Sequence, residues 1–417
     1  MIVVQILFWV SIALVLAQVG LVARFVAALL RGGRGARGGP YCPKTAVVLC
    51  LRGADPFLKK CISALLCQDY PRYDVKIVVD RREDPAWQIV QAAVAECGAA
   101  NVEAQPLLER RQTCSLKCSS LVQAIRGLDP SYEVVALLDA DTIPHRRWLA
   151  ELVTPLASER VGVSTGNRWY MSPDVSWPSL VRYLWNVGAV VQMFWYHIPW
   201  GGTLAVKTGA LARSGLLERW EHAFCEDTML YRAMRRAGLQ VAFVPSLMMI
   251  NREGTSLASC FGWVSRQLLT ARLYHPYWPL VLLHGMGTSA FLLVLAGVCV
   301  AAVCGGWWPA AVWSGAALLA YLAAMPLLVL PMEWAVRRIA RTRGEPTAWL
   351  GLGGTVRLWP GVVVTQAVYC GAMAWALVVR EVGWRGVAYR VAGPWQISLL
   401  RDPPYPGSTD DDALRSL

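Results

Sequence analysis

The stretch EVVALLDADTIP, Glu133–Pro144, decides how the rest of the chain is read. Val134–Leu138 is a short apolar run that reads as a strand, and it ends on two acids. Asp139 and Asp141 stand two residues apart at that tip. The period-2 geometry of a strand points both carboxylates the same way. A hard cation such as Mg²⁺ or Mn²⁺ takes oxygen ligands and leaves positions for diphosphate oxygens. There it stabilises a departing nucleotide. The competing reading is a plain turn, since Asp is common before a sequence such as Thr-Ile-Pro.

Upstream of this strand the pattern repeats. TAVVLCL (45–51) reads as a strand, and DPFLKKCISALLCQD (55–69) as a helix with Asp55 and Pro56 at its start. VKIVVD (75–80) is a second strand ending on an acid, followed by the helix DPAWQIVQAAVAECG (84–98), closed by Gly98. NVEAQPL (101–107) is a third strand and SLKCSSLVQAIRGL (115–128) a third helix. This alternation gives an α/β fold class with a Rossmann-like, mostly parallel, doubly wound sheet. In such sheets the ligand crevice lies beyond the carboxyl ends of the strands, where Asp80, Asp139 and Asp141 fall.

Three motifs follow downstream. FCEDTMLYRAMRRAG places Glu226 and Asp227 before an amphipathic helix ending at Gly238; Asp227 suits an N-cap, and a helix N-terminus also fixes a carboxylate's position. IPWGGTLAVKTGAL holds the pair Gly201 and Gly202, which permits close backbone approach to a ligand or marks a simple loop. SRQLLTARLYHP (265–276) carries Arg266, Gln267 and Arg272, suited to neutralising diphosphate charge or to anchoring a membrane span. Between these motifs, residues 177–200 hold Trp177, Trp185, Trp195 and Trp200, so this segment reads as interfacial or as a buried core helix.

Hydrophobic residues make up 55% of the 417, charged residues 16%, and the mean hydropathy is +0.39, a balance that argues for membrane spans. Ile2–Leu30 is an almost continuous apolar run with its positive charge after it, so residues 1–30 form a first span and the chain beyond lies inside. Residues 31–43 are a basic Gly/Arg linker and 44–276 the globular domain. Tyr277–Cys304, Trp308–Met332 and Trp359–Val379 are each long enough to cross a bilayer, within a membrane region of 277–380. The basic, Trp- and Gly-rich link 334–358 reads as interfacial or partly re-entrant. Residues 381–417 read as a tail, disordered from Ser408. The net charge of +12 clusters beside apolar runs (Arg31, Arg34, Arg37; Arg337, Arg338, Arg341, Arg343). That suits the anionic inner leaflet of a membrane and argues against nucleic acid as partner. The 12 cysteines form no metal ladder and read as reduced thiols.

Taken in order, LRGADPFLKKCISALLCQDYPRYDVKIVVDRREDPAW (51–87), Lys117, the Asp-x-Asp motif, the Glu-Asp motif and WRGVAYRV (384–391) resemble the family 2 inverting glycosyltransferases, and within them the ceramide glucosyltransferases. The resemblance covers almost the whole chain and implies a GT-A domain on the cytoplasmic side of the cell inner membrane, with one N-terminal and about three C-terminal transmembrane helices. It implies Asp227 as catalytic base, and Arg52, Asp80, Asp84, Lys117, Asp139, Gly202, Glu226 and Arg266 as residues binding the nucleotide sugar. A UDP-glucose-like donor and a lipid acceptor are the partners implied. The family's (Q/R)xxRW motif is incomplete: Arg266 is present, but Leu269 and Thr270 stand in place of the Arg-Trp pair, with Arg272 or Arg252 as candidate substitutes for its charge. A processive polysaccharide synthase and an inactive scaffold keeping the fold are the alternatives.

Overall fold

The computed structural model describes residues 1–32, 41–347 and 351–405. After helix α1 (Ile2–Gly32), strands and helices alternate: β1 (Thr45–Leu51), α2 (Leu58–Leu66), β2 (Tyr73–Val79), α3 (Pro85–Cys97), β3 (Val102–Pro106), α4 (Leu116–Arg126) and β4 (Val134–Leu138). Each lies where the sequence pattern puts it. The local reasons are visible: Asp84 caps α3 through the Ala86 N–H, Ser115 caps α4 through the Cys118 N–H, and Gly98 ends α3 at φ +59. The domain continues with α5 (Trp148–Val153), β5 (Val161–Tyr170), α6 (Trp177–Tyr196), β6 (Thr203–Lys207), α7 (Thr208–Ser214), α8 (Leu216–Trp220), α9 (Leu230–Arg236), β7 (Gln240–Asn251) and α10 (Leu257–Tyr274).

The seven strands form one sheet in the order β3-β2-β1-β4-β6-β5-β7. The pairs β1·β2, β2·β3, β1·β4 and β5·β7 are parallel, whereas β6 runs antiparallel to both β4 and β5. The order reverses at β1/β4, the switch point where such sheets open a crevice. Because β6 is inverted, its N-terminal end meets the C-terminal end of β4, with Leu138 opposite Thr203. The Gly201–Gly202 pair is thereby delivered beside Asp139.

Among the described residues, four helices are long and apolar enough to cross a membrane: α1, α11 (Trp278–Cys304), α12 (Trp308–Thr342) and α13 (Gly351–Val378). Within the link expected at 334–358 as interfacial or partly re-entrant, residues 334–342 are the end of α12 and 351–358 the start of α13. Residues 177–200 prove to be mainly α6, whose buried face packs among α10, α13 and β5. A larger departure concerns the expected tail at 381–417. Glu381–Trp384 (β8), Val387–Gly393 (β9) and Gln396–Arg401 (β10) form an antiparallel sheet, and Val387, Tyr389, Val391 and Ile397 bury against α4 and the surrounding core. Residues 33–40 of the expected basic linker, 348–350 of the link and the tail from Ser408 lie outside the described residues.

Candidate active site

The cleft at the switch point has a volume of about 160 Å³ and collects acids from separate elements. Asp139 and Asp141 follow β4, Asp80 follows β2, and Glu226 and Asp227 precede α9; all five line it. Lys117, in the first turn of α4, donates from Nζ to Asp139 Oδ1 and Glu226 Oε1, at 2.7 Å each. Asp227 accepts the Gly201 N–H on Oδ2 (2.9 Å) and the Thr228 N–H on Oδ1 (2.6 Å). It therefore does not cap α9, which begins three residues later with Met229 at the cap position.

Burial and charge set the acids apart. Burial alone would raise Asp139, but Lys117 and Arg168 outweigh it and hold that carboxyl below the usual range. Burial pushes Asp141 up to about 6 against the pull of Arg168. It pushes Glu226 up to about 7 despite Lys117, with the Asp227 charge adding to the shift. Asp227 is also raised by burial, partly offset by the Gly201 N–H. Among the cations, burial lowers Arg266 to about 10, with Arg385 and Arg168 adding repulsion.

The end of the cleft beside β2 is ionic. Arg52 and Arg110 both pair with Asp80, the latter at 2.7 Å, and Asp402 bonds Arg81 (2.9 Å), Arg52 (3.3 Å) and Arg110. Asp84 is not among the residues lining the cleft; its carboxylate accepts the Gly53 N–H (3.0 Å) and caps α3, which holds the loop after β1. The glycine pair holds the acids in place. A Cβ on Gly201 would collide with the Glu226 carboxylate, and one on Gly202 with the Trp200 ring and Asp139. Neither candidate replacement for the missing Arg-Trp charge reaches the cleft. Arg252 pairs with Glu345 (3.4 Å) and Arg272 donates to the Leu377 carbonyl (2.5 Å).

Sequence reasoning missed Arg168, Trp200 and Arg385 as cleft residues. Arg168 sits 3.4 Å from both Asp139 Oδ2 and Asp141 Oδ2, stacked over Trp200 with its Cζ 4.7 Å from the ring centre. A lone cation inside the apolar strand VGVSTGNRWY was the available signal, because a buried charge implies a partner. Among the described residues no group of three or more His, Cys, Asp or Glu is arranged to hold a metal. The donor set at the β4 tip still fits a hard divalent ion that draws its remaining oxygens from phosphate and water. Arg168 bridges the same two carboxylates and would have to share or yield that space.

A second cavity, of about 310 Å³, lies beside the cleft among the long apolar helices. Its walls come from α1, α6, α11, α12 and α13, including Leu21, Val187, Val281, Met325 and Val362. Arg168, Trp200, Asp227, Trp263, Gln267 and Thr270 border both spaces, so Asp227 stands where a polar cleft meets an apolar one.

The family model described as glycosyl transferase family 21 matches residues 6–395. No curated protein sequence matches the chain. Among solved structures it is similar to the mannosyltransferase PcManGT from Pyrobaculum calidifontis in complex with GDP-Man and Mn²⁺, at 18% identity, over 89% of this chain and 99% of that one, with a TM-score of 0.47. It is also similar to M. tuberculosis glucosyl-3-phosphoglycerate synthase (18% identity, 59% of this chain, 82% of that one, TM-score 0.36). The same M. tuberculosis enzyme in complex with Mn²⁺ and UDP-Glc gives 17% identity, 59% and 81% coverage, and a TM-score of 0.35.

Proposed function

The chain belongs to glycosyl transferase family 21, and on that premise we propose that it moves a sugar from a nucleotide-sugar donor, a UDP-hexose, onto a lipid hydroxyl with inversion at the anomeric carbon. This is the chemistry of a ceramide glucosyltransferase-like enzyme of the family 2 inverting type, with its catalytic domain on the cytoplasmic face of the cell inner membrane. One observation carries the reading: Asp227 borders both the ionic cleft and the apolar cavity between the spans.

The donor lies in the cleft, with its nucleoside toward Arg52 and Asp80 and its diphosphate toward the β4 tip. A divalent cation, Mg²⁺ or Mn²⁺, held by Asp139 and Asp141, would supply charge neutralisation to the leaving diphosphate. Lys117 and Arg266 add positive charge from the protein side. Asp227 is the general base: its carboxylate takes the proton of the acceptor hydroxyl as that oxygen attacks the anomeric carbon. Burial raises its proton affinity, which suits the task, and the Gly201 N–H fixes Oδ2 so that it cannot rotate away. Glu226 steadies Lys117. The apolar cavity receives the lipid chains and brings the hydroxyl to Asp227 while excluding water that would otherwise hydrolyse the donor.

The test incubates purified protein in detergent with labelled nucleotide sugars and a membrane lipid extract. Label from one donor should enter the organic phase. Asp227→Asn should lower kcat by roughly 10²–10⁴-fold with donor affinity unchanged. Wild-type turnover by that variant would refute the base assignment. Label in a water-soluble polymer would favour a processive synthase, and nucleotide binding without any transfer an inactive scaffold.

A further inference from the structure

The β8–β9 hairpin turns on two residues, Arg385 and Gly386, with φ of +48 and +76. Both positions of this turn are left-handed, a conformation natural to Gly and costly for Arg. Such strain persists where the surroundings over-determine it, and here they do. Arg385 Nη2 donates to both oxygens of Asp55 (3.0 and 2.8 Å), and Nη1 donates to the Arg52 carbonyl (2.8 Å). Arg52 Nε returns a bond to the Arg385 carbonyl (2.9 Å). Five N–H groups belong to a guanidinium, so the Nε–H and one Nη1–H have no partner among the described residues. The side chain is 22% exposed and lines the cleft.

The neighbouring residue strengthens the case. Trp384 lies under Arg266, whose Cζ is 5.2 Å from the ring centre. Arg266 makes no ion pair among the described residues. Arg266 and Arg385 thus border the cleft beside Arg52 and Arg168, and among the described residues the one carboxylate that either of them bonds is Asp55, held by Arg385. A rigid, pre-oriented fork beside an unpaired one is a geometry that selects paired phosphate oxygens.

We infer that Arg385, at the tip of the C-terminal hairpin, binds the donor's diphosphate together with Arg266. The inference rests on the nucleotide-sugar reading and assigns one of its ligands to a part of the chain far from the other acids and cations in sequence. Trp384 positions Arg266, and Asp55 positions Arg385.

Calorimetric titration of the full chain in detergent tests this with UDP and GDP, each beside its monophosphate and nucleoside. In Arg385→Ala the better-bound diphosphate should weaken tenfold or more, while its nucleoside changes less than twofold. Arg385→Lys should recover part of the loss. Arg385→Gln keeps a hydrogen bond to Asp55 without the charge, so it guards against a collapsed turn and should behave like Ala. Equal weakening of diphosphate and nucleoside would mark Arg385 as merely structural and overturn the inference, as would a diphosphate affinity unchanged in both the Ala and Gln variants. Were the wild-type chain to bind none of these compounds, the nucleotide-sugar reading itself would fail, and this inference with it.

Discussion

Two glycines set how closely the acids of the cleft approach one another. With Gly201 and Gly202 in place, Glu226, Asp227 and Asp139 come within reach of a single backbone turn, and the Gly201 N–H donates to Asp227. Burial raises the proton affinity of Asp141, Glu226 and Asp227, whereas Lys117 and Arg168 lower that of Asp139, and the sign of the consequence follows. Asp141 titrates at about 6 and Glu226 at about 7, and Asp227 is raised as well, each chiefly by burial. A base raised in this way is active in its deprotonated form, so turnover should fall as the pH drops. The acid limb of the kcat/KM profile should have its midpoint above the ordinary carboxylate value of about 4. Because Asp141 protonates in the same window, the Mn²⁺ concentration needed for half-maximal rate should rise as pH falls through about 6. A limb centred near 4 would show that the burial of these acids does not govern the reaction.

At the scale of elements, the C-terminal sheet is a working part of the domain rather than an appendage. The Tyr389 hydroxyl accepts the Leu116 N–H at 3.1 Å, in the first turn of α4 and next to Lys117. Tyr389→Phe leaves that buried N–H unpaired and should cost about 1–3 kcal/mol, read as a lower unfolding temperature in detergent. Unchanged unfolding would mean that β9 merely rests on α4. The elements from β1 to β4 were legible because apolar runs, Ser115, Asp84 and Gly98 act locally, through caps and periodicity. The C-terminal sheet was not. Its alternation in VAYRVAG is plain in the burial of Val387, Tyr389 and Val391, yet basic residues following a span look like topology signals, and the sequence masks what they pair with. The same limit hid Arg168 and Arg385, whose partners lie far away in sequence: Arg168 with Asp139 and Asp141, Arg385 with Asp55. The inverted β6 was illegible for a related reason, since nothing in TLAVK encodes its direction.

At the scale of the molecule, the membrane helices and the catalytic sheet share one hydrophobic core. Phe25 and Leu29 of α1, Trp169 of β5, Met248 of β7 and Met332 and Ala335 of α12 belong to a single buried cluster. Glu333 of α12 accepts the Trp169 indole N–H and the Tyr183 hydroxyl, both at 2.8 Å. Within this frame the apolar cavity can be tested by filling it. Gly188 borders the cavity, and a Cβ there meets nothing within 4 Å. The Cβ itself therefore meets no clash, and the bulk of Gly188→Trp should raise the KM for the lipid acceptor several-fold and leave donor affinity unaltered. Wild-type acceptor kinetics in a folded Gly188→Trp protein would place the acceptor elsewhere. The shared core has a practical corollary for anyone dissecting the chain. A cut placed after α1 or before α11 would bare Trp169, Met248 and their neighbours to water, so no trimmed version should behave as an independent, detergent-free catalyst. The sheet takes part of its greasy interior from the spans, and severing the two would leave each with an open wound of apolar surface.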